Sequence, residues 1–327
     1  MRAAKLWGTA VLAVLATLGG QAAAQDKYPS KPIKILVPYA PGGATDYAAR
    51  LVAEKAKGPL GANIVIENKP GAGGIISLEE LVNAKADGYT LMIGNVTTNC
   101  ITPILFASKL KFNFDEKVVP VARLLNTPNV FIAHSDFPAK TFQEFLDYTK
   151  KNPGKVRYGS SGIGSFPHYD TALLAKRAGL DMIHIPYKGG AGDMVKGIVN
   201  GEINVTLLST PITIPQVKAG TVRVLSNVND RLEGFKEYPT FAELGFKDVG
   251  TGNWSMLYAP AGVPQPVLEA LFKAFTDAVN DPFVKDAAAK TGTDTFATKS
   301  IQETQAWLKT EMTKWRKNIK EIPVELN

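Results

Sequence analysis

Two glycine-rich loops, about a hundred residues apart, carry the chemistry this sequence has to offer. The first, Pro38-Tyr39-Ala40-Pro41-Gly42-Gly43-Ala44-Thr45-Asp46, follows a β-branched run at 33–37 and opens a helical pattern from Tyr47. The second, Gly159-Ser160-Ser161-Gly162-Ile163-Gly164-Ser165, follows a short run at 156–158 and opens a helical pattern from Pro167. Small side chains let a ligand approach the backbone N–H groups, and each following helix aims its unbonded amides and positive dipole end at the same spot. Each loop is therefore an expected anion site built without a cationic side chain. Two such loops in one chain suggest two lobes closing on one acidic small molecule. In that arrangement Asp46 is a poor direct partner for an anion and is expected to cap the helix or orient a bridging water.

Other chemistry is poorly supplied. Gly159-Ser160-Ser161-Gly162 is one residue off the Gly-x-Ser-x-Gly nucleophile elbow, so a serine hydrolase would have to rest on Ser160 or Ser161 with His168. No phosphate-binding Gly-x-x-x-x-Gly-Lys-Ser/Thr loop occurs, and Gly71-Ala72-Gly73-Gly74 lacks dinucleotide-binding spacing. His134, His168 and His184 stand in no recognised metal pattern, so neither a metal nor a cofactor is expected. Cys100 is alone; it cannot form an internal disulfide and reads as a small buried hydrophobe. Lysines and arginines are scattered, and the cluster at 314–320 shares its helix with Glu311 and Glu321, which fits a solvated face and argues against nucleic acid as a partner.

The elements that must position the loops alternate along the chain. Arg2 and Lys5, an apolar run at 6–18 and Ala22-Ala23-Ala24 predict a cleaved signal peptide over 1–24, and no later run reaches the roughly 18 residues of a membrane span. Losing Arg2 and Lys5 lowers the net charge from +7 to +5. Strands are expected at 33–37, 63–67, 90–94, 156–158, 182–185, 204–208 and 222–226, with an extended stretch at 121–133; helices are expected at 47–57, 76–84, 142–150, 168–178 and 192–199. Such alternation predicts an α/β protein with mostly parallel, helix-covered sheets.

The chain resembles the Bug family, the periplasmic substrate-binding receptors of tripartite tricarboxylate transporters. The resemblance rests on the first loop, Asn68-Lys69-Pro70-Gly71-Ala72-Gly73-Gly74, Asp87-Gly88-Tyr89-Thr90-Leu91, the second loop with His168, Pro186-Tyr187-Lys188-Gly189, Tyr238-Pro239-Thr240 with Glu243-Leu244-Gly245, and Ala259-Pro260-Ala261-Gly262-Val263-Pro264, in order over the whole mature chain. It implies a two-lobed type II periplasmic-binding-protein fold with two interlobe crossings, expected near 126–130 and 250–258. The lobes would be 25–127 plus 251–327 and 128–250. It also implies a monomeric, non-enzymatic receptor that binds a small carboxylate and meets integral membrane transporter subunits.

Carried over, the ligand site comprises Gly42, Gly43, Ala44, Thr45 and Asp46 from one lobe and Ser160, Ser161, Gly162, Gly164 and Ser165 from the other, with Tyr39, Thr97, Thr98, Phe166, His168, Tyr187 and Ser209 around them. Phe166 is either an aromatic wall of the cleft or a packed helix-start residue. Thr251, Asn253 and Trp254, on the return crossing, are further candidates to touch the cleft. Two departures from the family pattern stand where ligand identity is tuned: Asn99 replaces the usual histidine, and Gly192-Asp193 follows the Pro186-Tyr187-Lys188-Gly189 motif where relatives continue toward Pro-Ala. A ligand-sensing carrier without its own transporter, or an exported hydrolase on the same scaffold, are the alternative readings.

Overall fold

A computed structural model describes residues 28–247 and 249–321; the expected signal peptide lies outside the described residues. The first lobe starts with β1 (Ile33–Val37), α1 (Ala44–Leu60), β2 (Ile64–Asn68), α2 (Ile75–Asn83), β3 (Thr90–Asn95), a single π-helical turn at Thr97–Ile101, and β4 (Val118–Thr127). The second lobe holds β5 (Asn129–His134), α3 (Phe142–Lys151), β6 (Val156–Ser160), α4 (Phe166–Ala178), β7 (Met182–Pro186), α5 (Ala191–Val199), β8 (Val205–Ser209), α6 (Thr210–Lys218) and β9 (Val222–Asn227). The chain then returns through β10 (Asn253–Pro260), α7 (Gln265–Asn280), α8 (Pro282–Ala289), β11 (Asp294–Thr295) and α9 (Ile301–Glu321).

The two sheets repeat one topology. The first has the order β11-β4-β10-β3-β1-β2, the second β7-β6-β8-β5-β9. In each, the parallel trio β2-β1-β3 or β7-β6-β8 is followed by one antiparallel strand, β10 or β5. That antiparallel strand is in both cases the one the chain enters on crossing from the other lobe. The expected continuous run at 121–133 is thus two strands in different sheets. Pro128 divides them because it has no N–H to give to a ladder. The return crossing is made by Gly250-Thr251-Gly252, between the Val249 side chain in the second-lobe core and Asn253 in β10.

Apolar spacing explains the layers. On α1, Ala48, Ala49, Val52, Ala53, Ala56 and Leu60 form one stripe, buried against Ile33, Ile35 and Val37 of β1 and against α7. The opposite face of that sheet packs Leu36, Met92 and Met256 with α2 and α9, and this cluster takes in Phe166 and Tyr169 from α4. Tyr169 meets Trp315 of α9 edge to face at 5.8 Å. The lobes therefore share a hydrophobic seam beside the hinge. No helix among the described residues is long and apolar enough to cross a membrane.

Candidate ligand-binding site

In the first loop, β1 ends at Val37 and α1 begins at Ala44. Gly42 has φ +88, a conformation L side chains rarely adopt, and its N–H donates to Asp46 Oδ2 at 2.9 Å. Asp46 also accepts from Arg50 (3.0 Å) and from Asn68 Nδ2 (2.8 Å), while Asn68 Nδ2 donates to the Tyr39 carbonyl at 2.9 Å. Burial pushes the Asp46 carboxyl up, but Arg50, the Gly42 N–H and Asn68 outweigh it and hold it below the ordinary value. Asp46 thus staples the loop from behind and spends its oxygens doing so. The first intrahelical bond of α1 runs from Tyr47 N to the Gly43 carbonyl (2.9 Å). The N–H groups of Ala44, Thr45 and Asp46 precede it and have no protein acceptor among the described residues.

The second loop is built differently. Gly162 N donates to Ser160 Oγ (3.2 Å), Gly164 N to His168 Nδ1 (3.1 Å) and Ser165 N to the Gly162 carbonyl (3.1 Å). Phe166 N crosses the cleft to Thr97 Oγ1 at 3.1 Å, and Pro167 has no N–H. Three of this loop's amides are therefore consumed internally and a fourth crosses to the other lobe. A Cβ on Gly164 would come within 2.8 Å of Leu105, so this side of the loop is packed against the first lobe.

A cavity of about 40 Å³ lies between the lobes. Tyr39, Gly43, Ala44, Thr45, Asn95 and Asn253 line it from the first lobe. Asn129, Ser161, Phe166, Pro167, Ala191, Met194, Leu207, Leu208, Ser209 and Ile212 line it from the second. All are uncharged. The helix starts of α1, α4, α5 and α6 all border it, at the carboxyl ends of β1, β6, β7 and β8, where open α/β sheets place ligands. A Cβ on Gly43 would stand 3.7 Å from the Ala191 Cβ, so the start of α5 faces the first loop directly across the cleft. That helix begins at Ala191, one residue before the expected start at 192.

Of the expected site residues, Tyr39, Gly43, Ala44, Thr45, Ser161, Phe166 and Ser209 line the cavity. Gly42, Asp46, Thr97, Thr98, Ser160, Gly162, Gly164, Ser165, His168 and Tyr187 stand outside its lining. Most of these support it. Thr97 receives the Phe166 N–H, Ser165 Oγ donates to the Gly162 carbonyl (2.7 Å), and Thr98 Oγ1 accepts from Asn95 N (3.1 Å). Tyr187 instead turns its hydroxyl to Glu202 at 3.1 Å.

Sequence reasoning did not reach Asn95, Asn129, Met194, Leu208 or Ile212. Asn95 Oδ1 accepts from Tyr39 OH (2.8 Å), and its Nδ2 donates to Asn253 Oδ1 (3.3 Å). The polar run Asn126-Thr127-Pro128-Asn129 at the crossing was the available signal for Asn129. Thr251, by contrast, is occupied with Asp170: its N–H and Oγ1–H donate to that carboxylate at 2.8 and 2.7 Å. Trp254 is buried in the seam.

A family model described as the tripartite tricarboxylate transporter family receptor matches residues 48–324. The chain belongs to that family. The receptor is 35% identical over 266 residues to a UPF0065 protein of Bordetella pertussis, a match that covers 81% of each chain. It superposes on the periplasmic binding protein BugD with a TM-score of 0.85 at 29% identity, covering 91% of this chain and 99% of that one. Another solved relative, "R. palustris Rpa4515 with adipate", superposes with a TM-score of 0.84 at 26% identity, covering 90% of this chain and 97% of that one.

The receptor belongs with solute-binding proteins and is not an enzyme. Its closest approach to a nucleophile–base pair is Ser160 Oγ with His184 Nε2 at 2.6 Å, a different histidine from the expected His168. Ser160 is fully buried and its hydroxyl also bonds the Gly162 carbonyl (3.0 Å). His184 stacks on His168 with ring centres 3.7 Å apart. Burial lowers His168 to about 3, helped by His184, and lowers His184 to about 4, so both imidazoles are neutral above those values. The pair is part of the loop's internal framework. Cys100 is buried in the π-helical turn, and burial pushes its thiol well up, as expected of a small hydrophobe. Asn99 Oδ1 accepts from Thr98 Oγ1 at 2.6 Å, so the residue replacing the family histidine bonds within its own turn.

Proposed function

We propose that this receptor captures a small carboxylate in the periplasm, between the α1 start and the helix starts of the second lobe, and delivers it as a monomer to the membrane subunits of a tripartite tricarboxylate-type transporter. A signal peptide over 1–24 would direct export. The moving bodies are lobes 25–127 plus 251–327 and 128–250, hinged at the two crossings. One observation carries the reading. The Ala44, Thr45 and Asp46 amides have no protein acceptor among the described residues, and Ala44 and Thr45 line an uncharged cavity shared by both lobes. A carboxylate oxygen satisfies such donors, and each charge-assisted bond contributes roughly 1.5–3 kcal/mol. Both lobes line the cavity, so a ligand held between them acts by favouring their approach. The adipate bound by the relative is a ligand of this kind.

The test is thermal unfolding of the mature chain with a panel of carboxylates at pH 7.5, adipate among them, beside the matching alcohols. At about 100 times its dissociation constant a bound acid adds about 2.7 kcal/mol, and the alcohol adds nothing. Stabilisation by no acid, or equally by the alcohols, overturns the reading.

A further inference from the structure

One residue in the cavity wall stands apart from the anion-binding amides. Asn129 is the first residue of β5, immediately after the Pro128 crossing, and is only 2% exposed. Its backbone is in order: the carbonyl accepts from Val228 N, and the strand registers with Ser209 of β8. Its side chain is not, because neither Nδ2 nor Oδ1 has a hydrogen-bond partner among the described residues. The other two asparagines of the wall, Asn95 and Asn253, are bonded to each other. The side chains sharing the second-lobe wall include Met194, Leu207, Leu208 and Ile212, which offer a carboxamide nothing. Burying such a group unpaired is costly, whereas a ligand that pairs both atoms recovers that cost.

Resting on the carboxylate reading above, we infer that the ligand carries, besides its carboxylate, a neutral group presenting a donor and an acceptor side by side, and that Asn129 reads that group. A carboxamide edge is the complement: its N–H₂ donates to Oδ1 while its carbonyl accepts from Nδ2, giving two parallel bonds. A second carboxylate is a poor match. It offers acceptors only, satisfies Nδ2, and sets a negative oxygen against Oδ1. A purely aliphatic end leaves both atoms unpaired. The ligand class is therefore a monoanionic amide-acid with a short apolar spacer that rests on Met194, Leu208 and Ile212. In this site Asn129 is a specificity residue, and the first-loop amides supply the charge recognition common to all acids.

The experiment is calorimetric titration of the mature chain at pH 7.5 with three matched sets of four, five and six carbons: the dicarboxylate, its monoamide, and the unsubstituted monocarboxylate. The monoamide of the best-fitting length binds about tenfold or more tighter than its dicarboxylate and its aliphatic counterpart. In Asn129→Leu, whose fold is verified by circular dichroism, the monoamide loses that advantage while the aliphatic acid binds as well or better. The inference is overturned if the dicarboxylate binds tightest to wild type, or if Asn129→Leu weakens all three acids equally. Should Asn129→Leu not fold, the wild-type ranking decides alone. If no acid of any length binds, the carboxylate reading itself falls, which is a separate outcome from a wrong ranking among acids that do bind.

Discussion

The loops at 38–46 and 159–165 are both glycine-rich and occupy equivalent places, each after the central strand of a parallel trio. They use their backbones in opposite ways. The first is held from behind by Asp46, Arg50 and Asn68, which leaves the amides of Ala44, Thr45 and Asp46 unspent. The second holds itself with its own amides, through Ser160, His168 and the Gly162 carbonyl, and gives one more to Thr97 across the cleft. A glycine loop at a helix start is therefore not an anion site by composition alone. What matters is whether some other group has taken over the work of holding the loop, so that its N–H groups remain available. Here one loop keeps free donors beside the cavity, and the other braces the wall and joins the lobes.

The sharpest way to break this contrast is to obstruct each loop. Gly43 faces Ala191 across the cleft, with space for a methyl group but not for an isobutyl group. Gly43→Leu should reduce carboxylate affinity by about a hundredfold or more, since two or more charge-assisted bonds are lost, while the ligand-free melting temperature changes little. At Gly162 a side chain would meet open space, but φ is +114. Gly162→Ala should therefore cost about 1–3 kcal/mol of stability with a smaller change in affinity. Thermal melts with and without ligand read both numbers. Equal losses of affinity in the two variants would show that the loops are equivalent after all.

A smaller effect is expected from the staple. Asp46→Ala removes the acceptor of Gly42 N, Arg50 and Asn68 at once, but Arg50 is half exposed and regains water. We expect a loss of about 2 kcal/mol and roughly tenfold weaker binding, because the loop that presents the amides is no longer fixed. Thr97→Val keeps the side-chain shape and strands Phe166 N without its acceptor. It should cost about 1 kcal/mol, and the loss should grow on ligand binding if that bond forms as the lobes approach. Denaturant titration of the two forms measures this directly; an identical loss in both would assign the bond to the static seam.

Much of the fold was legible in residue order. The β-branched run of β1, the stripe of small apolar residues on α1 and the strand–helix alternation each followed from spacing, whereas the crossings near 126–130 and 250–258 were expected from the resemblance, and the second is shorter than expected because β10 already begins at Asn253. The candidate site was legible only where it is local. Gly43, Ala44 and Thr45 declare themselves by their place before a helix. The spending of the second loop's amides does not, because one acceptor, Thr97, lies 69 residues away in the other lobe. Met194 and Leu208 were invisible for the same reason, since the wall they share with Asn129 exists only when β5, β8 and α5 come together, and Asn129 had only the polar run at the crossing to mark it. Asp46 was legible in kind, as a group that organises the loop. Its partner Asn68, 22 residues on, was not.

The mildest test uses acid to separate the loops. His168 and His184 stack within the second loop's framework and have folded values near 3 and 4, below the ordinary 6.5, so the unfolded chain binds more protons than the folded one as pH falls below 6.5. Stability should therefore decline from pH 6.5 toward 4, by at most about 1.4 kcal/mol per pH unit for each imidazole. Asp170 at the hinge works against this. Burial raises it from 3.8 to about 6 despite its bonds to Thr251, so between those values the folded chain holds the extra proton and stability rises as pH falls. The net decline should equal about one imidazole between pH 6 and 4, and be shallower above pH 6, where the unfolded imidazoles are only partly protonated. Urea unfolding at intervals from pH 7.5 to 4.5 measures it. His184→Phe keeps the ring stack with Tyr158 and His168 but cannot titrate, and should nearly abolish the slope below pH 6. A wild-type slope unchanged in that variant would mean that acid acts elsewhere than on the loop that braces the wall.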